Sequence, residues 1–286
     1  MIPAAFDYVR AESVDHAVSA LAERGDEAKV LAGGQSLLPL MRLRLAAPEV
    51  VVDVGRLTDL RGVREDGDAL VIGALTTHHE VMHNELVRQH AALLAQVTGT
   101  VADPAVRHRG TFGGSLSHAD PAGDLPATAL ALGAEMVVQG PGGRRTIPAR
   151  EFFVDYLQTA LSPDELLLEV RIPKYGPGWG FHYEKLHRVA QAWAIVGVAA
   201  AVRRENGSIA EARIGLTNMG TTPVRAEAVE QALSGVDTSD DTALTAAADR
   251  AADGTSPPSD LAGQSDYRQH LARILTRRAV RHAAGL

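Results

Sequence analysis

The 286-residue sequence contains no cysteine. That absence excludes disulfides, thiolate zinc sites, a cysteine-held iron–sulfur cluster and a cysteinyl flavin bond. No apolar run reaches the roughly 18 residues of a membrane span. The opening residues, Met-Ile-Pro-Ala-Ala-Phe-Asp-Tyr, carry neither a basic segment nor an apolar stretch behind one, so they do not read as a secretory signal. There is no basic excess either. Lys and Arg number 28 against 35 Asp and Glu, for a net charge of −7, which leaves no electrostatic footprint for nucleic acid. The common nucleotide fingerprints are also missing. Neither the Gly33-Gly34 loop nor the Gly113-Gly114 loop fits G-x-G-x-x-G, and neither continues into Gly-Lys-Ser/Thr. No internal repeat or low-complexity tract stands out. The expectation is a cytoplasmic protein with neither a nucleic-acid partner nor a transmembrane segment.

What the chain does have is 45% hydrophobic residues and 22% charged ones, enough for one large or two smaller packed domains. Residues 13–24 predict a capped amphipathic helix that stops at Gly25. Strands are predicted at 29–32, 49–54 and 69–73, a helix at 86–97, a helix from Asp124 to Gly133, and a hairpin of 135–138 with 145–148 about Pro141-Gly-Gly143. A strand at 166–172 precedes Pro173-Lys-Tyr-Gly-Pro-Gly-Trp-Gly180, the segment densest in turn formers and the expected boundary. Beyond it come three antiparallel strands at 181–188, 195–203 and 209–216, then helices from Thr222 onward with a partly looped stretch at 237–265.

Two glycine loops carry the chemistry. The first follows a strand: Ala32-Gly33-Gly34-Gln35-Ser36, with Ser36 expected as N-cap and Pro39 in the first helical turn. The second is Thr111-Phe112-Gly113-Gly114-Ser115. Glycines let backbone approach a ligand closely, and free N–H groups at a helix start favour an anion. Two such loops suit a pyrophosphate gripped from both sides. Asp124 is positioned as a helix N-cap, and Arg107 and Arg109 are either phosphate neighbours or surface charges.

These motifs, with Asp120-Pro-Ala-Gly-Asp124 behind the second loop, resemble the flavoprotein (medium) subunit of the molybdenum hydroxylases, the family of carbon monoxide, xanthine and aldehyde dehydrogenases. The likeness runs from Pro3 to the last helices. It implies an α+β chain: a two-lobed FAD-binding domain of the PCMH (vanillyl-alcohol-oxidase-like) type at 1–176, and a smaller α+β domain with a three-stranded antiparallel sheet and helices at 177–286. It also implies non-covalent FAD held by Ala32, Gly33, Gly34, Gln35, Ser36, Thr111, Phe112, Gly113, Gly114 and Ser115, with Asp124 on the nucleotide. Val101 and Leu161 match positions lining the flavin, and Lys185 matches a lysine near the pyrimidine end of the ring system. Trp193 stands where the family often has Tyr, and Gln35 where many relatives have His, which weakens assignment to carbon monoxide dehydrogenase itself. The family role is electron transfer: a small iron–sulfur subunit delivers electrons through FAD to an external acceptor, and a large molybdenum subunit oxidises the substrate, in an expected dimer of heterotrimers. No catalytic acid, base or nucleophile and no metal ligand is then expected from this chain.

Three other readings compete. One is a stand-alone flavin oxidoreductase of the same fold, which the absence of a large substrate-binding cap disfavours. Another is a zinc metallopeptidase on His79-Glu80-x-x-His83, a pattern that places two imidazoles on one helix face with a carboxylate base. In a chain with 11 histidines it also arises by chance, at a helix start capped by Thr77. The last is a non-catalytic nucleotide-binding scaffold.

Overall fold

The structure is a computed structural model that describes residues 2–286. Three sheets organise it. The first is small and parallel, with Val50–Asp53 between Asp7–Arg10 and Ala28–Leu31. The helix Val14–Arg24 covers it. Ser13 caps that helix by accepting from the His16 N–H at 3.0 Å, and Gly25 ends it at φ +51°, donating its N–H to the Leu21 carbonyl. The Val-Val-Val run at 50–52 reads apolar throughout because it is the middle strand of the sheet.

The central sheet is antiparallel, in the order Val63–Asp66, Ala69–Gly73, Leu166–Pro173, Glu135–Gly140, Gly143–Pro148. The hairpin about Pro141 forms as predicted. The long helix read at 86–97 is instead two short ones, Glu85–His90 and Ala92–Gly99, the first capped by Asn84. Ala91, at φ −146°, breaks them and is wholly buried.

The last sheet has four antiparallel strands rather than three: Trp179–Leu186, Val196–Glu205, Ser208–Thr217 and Val224–Arg225. The fourth is two residues long, too short to leave a periodic signal in the sequence. The helix Ser265–Ala283 packs across this sheet. On the sheet's other side lies the helix Asp124–Ala131, every residue of which is buried. One hydrophobic core therefore includes Leu125 and Ala129 of that helix, Ile72 and Val170 of the central sheet, and Tyr183, Ala199 and Ala201 of the last sheet. Gly215 shows how tight the seam is: a Cβ there would collide with the carbonyl oxygen of Ala127.

Candidate flavin-binding site

The strand Ala28–Leu31 runs directly into the first glycine loop, and the helix Leu37–Leu43 leaves it. The backbone N–H groups of Gly33, Gly34, Gln35 and Ser36 donate to no described residue. Gly34 sits at φ +74°, where a side chain would be strained and its Cβ would come within 2.8 Å of Leu38. Ser36 stands at the predicted N-cap position, but its backbone is already helical and its hydroxyl makes no capping bond. A ladder of unpaired donors and a free hydroxyl remain on the loop's open side.

The second loop works differently from the sequence expectation. Thr111 caps the helix Phe112–His118 by accepting from the Gly114 N–H at 3.1 Å. The Phe112 N–H donates to Thr76, Gly113 to Ala74 and Ser115 to Thr111, all at 2.9–3.0 Å. The donors from Phe112 to Ser115 are therefore spent inside the protein. This loop offers hydroxyls and close backbone, not an N–H cradle. Phe112 departs further from the expectation, because its side chain is fully buried in the core and does not reach the cavity. The loops touch at Gly33, where a Cβ would collide with the Arg109 carbonyl oxygen.

Between the loops opens a cavity of about 780 Å³, inside the range typical of cofactor sites, roughly 300–1,000 Å³. Its wall brings together Ala32, Gly33, Gly34, Gln35 and Ser36, Thr111 with Gly113, Gly114 and Ser115, and Val101, Asp124, Leu161, Lys185 and Trp193. Of the predicted residues, Phe112 alone is missing from that lining.

Asp124 is not an N-cap. Gly123 holds that position, and the Asp124 carboxylate turns into the protein. Its Oδ2 accepts from Lys185 Nζ at 2.7 Å and its Oδ1 from the Tyr183 hydroxyl at 2.6 Å. Lys185 and Asp124 side chains are only 6% and 5% exposed. Burial pushes the Asp124 carboxyl upward, while Lys185 and then Tyr183 pull it back. Burial and the neighbouring Asp124 charge hold the Tyr183 phenol well above its ordinary value, so it stays a neutral donor. The cation at the cavity wall is thus fixed by a buried partner 61 residues away in sequence.

Two features that the sequence reading passed over belong here. His78 lines the cavity; its Nδ1 is buried without a partner, and burial, helped by the Arg107 charge, pulls its pKa down to about 4. The hairpin of Phe153–Asp155 with Gln158–Thr159 forms another part of the wall through Leu157 and Gln158. Arg107 has a structural task. It donates to the Val101 and Ala102 carbonyls at 2.8 and 3.0 Å and so shapes the turn that presents Val101. Arg109 contributes its backbone, through the contact with Gly33. Trp193 is 57% exposed at the cavity rim, so it is not an anchor of the core.

The His79-Glu80-x-x-His83 pattern resolves into local structure. Glu80 accepts from the Thr77 N–H at 2.7 Å and the Thr77 hydroxyl at 2.8 Å, completing a capping box. His83 Nδ1 lies 2.8 Å from the His79 carbonyl of its own helix. The carboxylate needed as a base is committed to the cap.

Residues 4–175 match the model of the FAD binding domain in molybdopterin dehydrogenase, and residues 181–283 that of the CO dehydrogenase flavoprotein C-terminal domain. The chain belongs to the flavoprotein subunits of the molybdenum hydroxylases. It is 41% identical to the carbon monoxide dehydrogenase medium chain of Hydrogenophaga pseudoflava, over 99% of this chain and 98% of the relative. It is 37% identical to the 6-hydroxypseudooxynicotine dehydrogenase complex subunit alpha of Paenarthrobacter nicotinovorans, over 99% of this chain and 96% of the relative. A solved structure of the Hydrogenophaga pseudoflava carbon monoxide dehydrogenase, lacking the Mo-pyranopterin moiety of the molybdenum cofactor, superposes with a TM-score of 0.96 at 43% identity, covering 100% of this chain and 99% of that chain. Relatives named for such different substrates lie at similar identity, so this flavoprotein subunit's likeness to them does not assign a substrate. No helix among the described residues is long and apolar enough to cross a membrane.

Proposed function

We propose that this chain is the FAD-binding electron-transfer subunit of a heteromeric molybdenum hydroxylase, taking electrons from iron–sulfur clusters on a partner and passing them through FAD to an external acceptor. The observation that carries the reading is one cavity holding both the unpaired N–H groups of Gly33–Ser36 and the ammonium of Lys185. FAD would present its pyrophosphate to the first and, to the second, a ring system that gains negative charge on reduction.

When bound, FAD supplies the exchange between one-electron and two-electron redox chemistry. The chain binds, orients and tunes. Gly33, Gly34, Gln35 and Ser36 donate to the pyrophosphate, and the Thr111 and Ser115 hydroxyls meet it from the second loop. Val101 and Leu161 exclude water from the ring system. Lys185 favours negative charge there by Coulomb attraction, and Asp124 with Tyr183 holds that ammonium in place. The exposed indole of Trp193 at the cavity rim would be available to stack on the ring. FAD binding belongs chiefly to a unit of about 1–176, with Lys185 and Trp193 supplied by the unit at 177–286.

The cysteine-free sequence has no ligands for iron–sulfur clusters, so those clusters and the molybdenum cofactor reside on a small and a large partner subunit. We expect two copies of each chain in the complex, in the cytoplasm. Purification from the native host should bring down both partners. The chain alone should keep FAD yet oxidise no aldehyde, purine or carbon monoxide with a dye acceptor. A native preparation that stays a single polypeptide and still turns over such a substrate would overturn the assignment.

A further inference from the structure

The strand Trp179–Leu186 has a second chemical face. Tyr183 and Lys185 point to the flavin cavity side, and the alternate residues His182 and Glu184 point the other way. His182 Nε2 lies 3.1 Å from Glu184 Oε1, and both side chains are partly open, at 25% and 22%. Across from them stands His282, in the last turn of the helix Ser265–Ala283. Its ring centroid is 4.5 Å from that of His182, with the planes tilted by 31°. One ligand atom from each of the three residues lies within 4.8 Å of the others. This juxtaposition is built into the packing. A Cβ at Gly180 would collide with the Ala283 carbonyl oxygen, so the glycine lets helix and strand meet backbone to backbone.

We infer that His182, Glu184 and His282 form a binding site for a divalent transition-metal ion, with Zn²⁺ as its natural chemistry. Two imidazoles and a carboxylate are a borderline-soft donor set that suits zinc, cobalt or nickel and not calcium or magnesium. Zinc–nitrogen bonds of about 2.0–2.1 Å require tetrahedral ligand atoms roughly 3.4 Å apart. His182 and Glu184 already meet that spacing, at 3.1 Å. The exposed His282 needs only to close inward. The site lies at a helix C-terminus, whose dipole favours a cation. One charged group opposes it: Arg204, which shares the crevice beside His282 and Gly285. Glu184 supplies the anion that offsets this. Three protein ligands leave an outward position for water, and the bound ion staples the edge strand to the final helix. No part of the flavin cavity is used.

The test is titration of the untagged, FAD-loaded chain with Zn²⁺, and separately with Co²⁺, at about pH 7.5. Calorimetry reads the stoichiometry and the Co²⁺ visible spectrum reads the donor set. The wild type should bind one equivalent and melt at a higher temperature with zinc present. His282→Ala, at an exposed position that leaves the fold intact, should weaken binding by about tenfold or more, a loss of about 1.4 kcal/mol, and abolish the zinc-induced rise in melting temperature. His182→Ala should do the same. His79→Ala should bind as the wild type does, because His79, His83 and His108 form a separate imidazole stack. Absence of stoichiometric binding, unchanged binding in His282→Ala, or loss of binding in His79→Ala would each overturn the assignment.

Discussion

Lys185→Met removes the ammonium from the cavity wall and leaves a side chain of similar length. In the wild type that ammonium lies 2.7 Å from Asp124, and the two side chains are 6% and 5% exposed. Removing one partner of a buried pair strands the other charge, at a cost of about 3–5 kcal/mol. Tyr183 still donates to Asp124, which places the expected loss near the low end of that range. The pH dependence identifies the cause. Burial already pushes Asp124 upward from its ordinary value, and Lys185 is the first group that pulls it back. Without Lys185 the folded chain holds a proton on Asp124 at pH values where the unfolded chain has released it. Stability then falls as pH rises, since the folded state binds more protons than the unfolded one. The deficit against wild type should be largest at mildly alkaline pH and shrink as pH falls toward the ordinary carboxylate range. Urea unfolding of the FAD-stripped chains across that pH range measures it without interference from the cofactor. Adding Asp124→Asn to Lys185→Met should recover most of the stability, because a neutral amide needs no counter-ion. A loss below about 1 kcal/mol, the worth of a surface pair, or a deficit that grows on acidification, would refute the reasoning.

Gly33→Ala should abolish FAD retention, because its Cβ runs into the Arg109 carbonyl and forces the loops apart; a variant that co-purifies with full flavin would refute the loop contact. Gly34→Ala should fold with a penalty of about 1–2 kcal/mol for its left-handed backbone, read as a lower denaturation midpoint. Trp193→Ala should leave the melting temperature of the FAD-stripped chain unchanged, since the indole is 57% exposed, while weakening FAD binding by about 0.5–1.5 kcal/mol, measured by flavin fluorescence titration. Acid precipitation should release all the yellow colour into the supernatant; flavin left in the pellet would show a covalent link.

The glycine loops were legible because their signals are local: a strand, paired glycines and hydroxyl residues within a few positions. Where the hydrogen bonds of those loops go was not. The donors of Phe112 and Gly113 are consumed by Thr76 and Ala74, some 36 to 39 residues earlier, and nothing near Phe112 signals that contact. Asp124 illustrates the same limit. Its helix-start position suggested a cap, yet the groups that claim its carboxylate lie on a strand of the last sheet, about 60 residues later. Tyr183 lies two positions from Lys185, and strand alternation places the two on one face, so the period-2 pattern was the signal that could have found it. The His79-Glu80-x-x-His83 pattern is the converse case, in which the local capping signal from Thr77 explains the motif fully.

The buried helix Asp124–Ala131 sets a rule for the lineage of such chains. Its neighbours on one side come from before Pro173 and on the other from after Trp179. Each half therefore carries the imprint of the other's surface at Ala127 and Gly215. A recombinant gene joining the first half of this chain to the second half of a relative inherits a mismatched seam at Gly215, in register with Tyr183 two strands away. Viable chimeras in this family should therefore place their crossovers outside residues 124–225, so that the helix and the sheet it packs on come from one parent, and not in the glycine- and proline-rich segment between them.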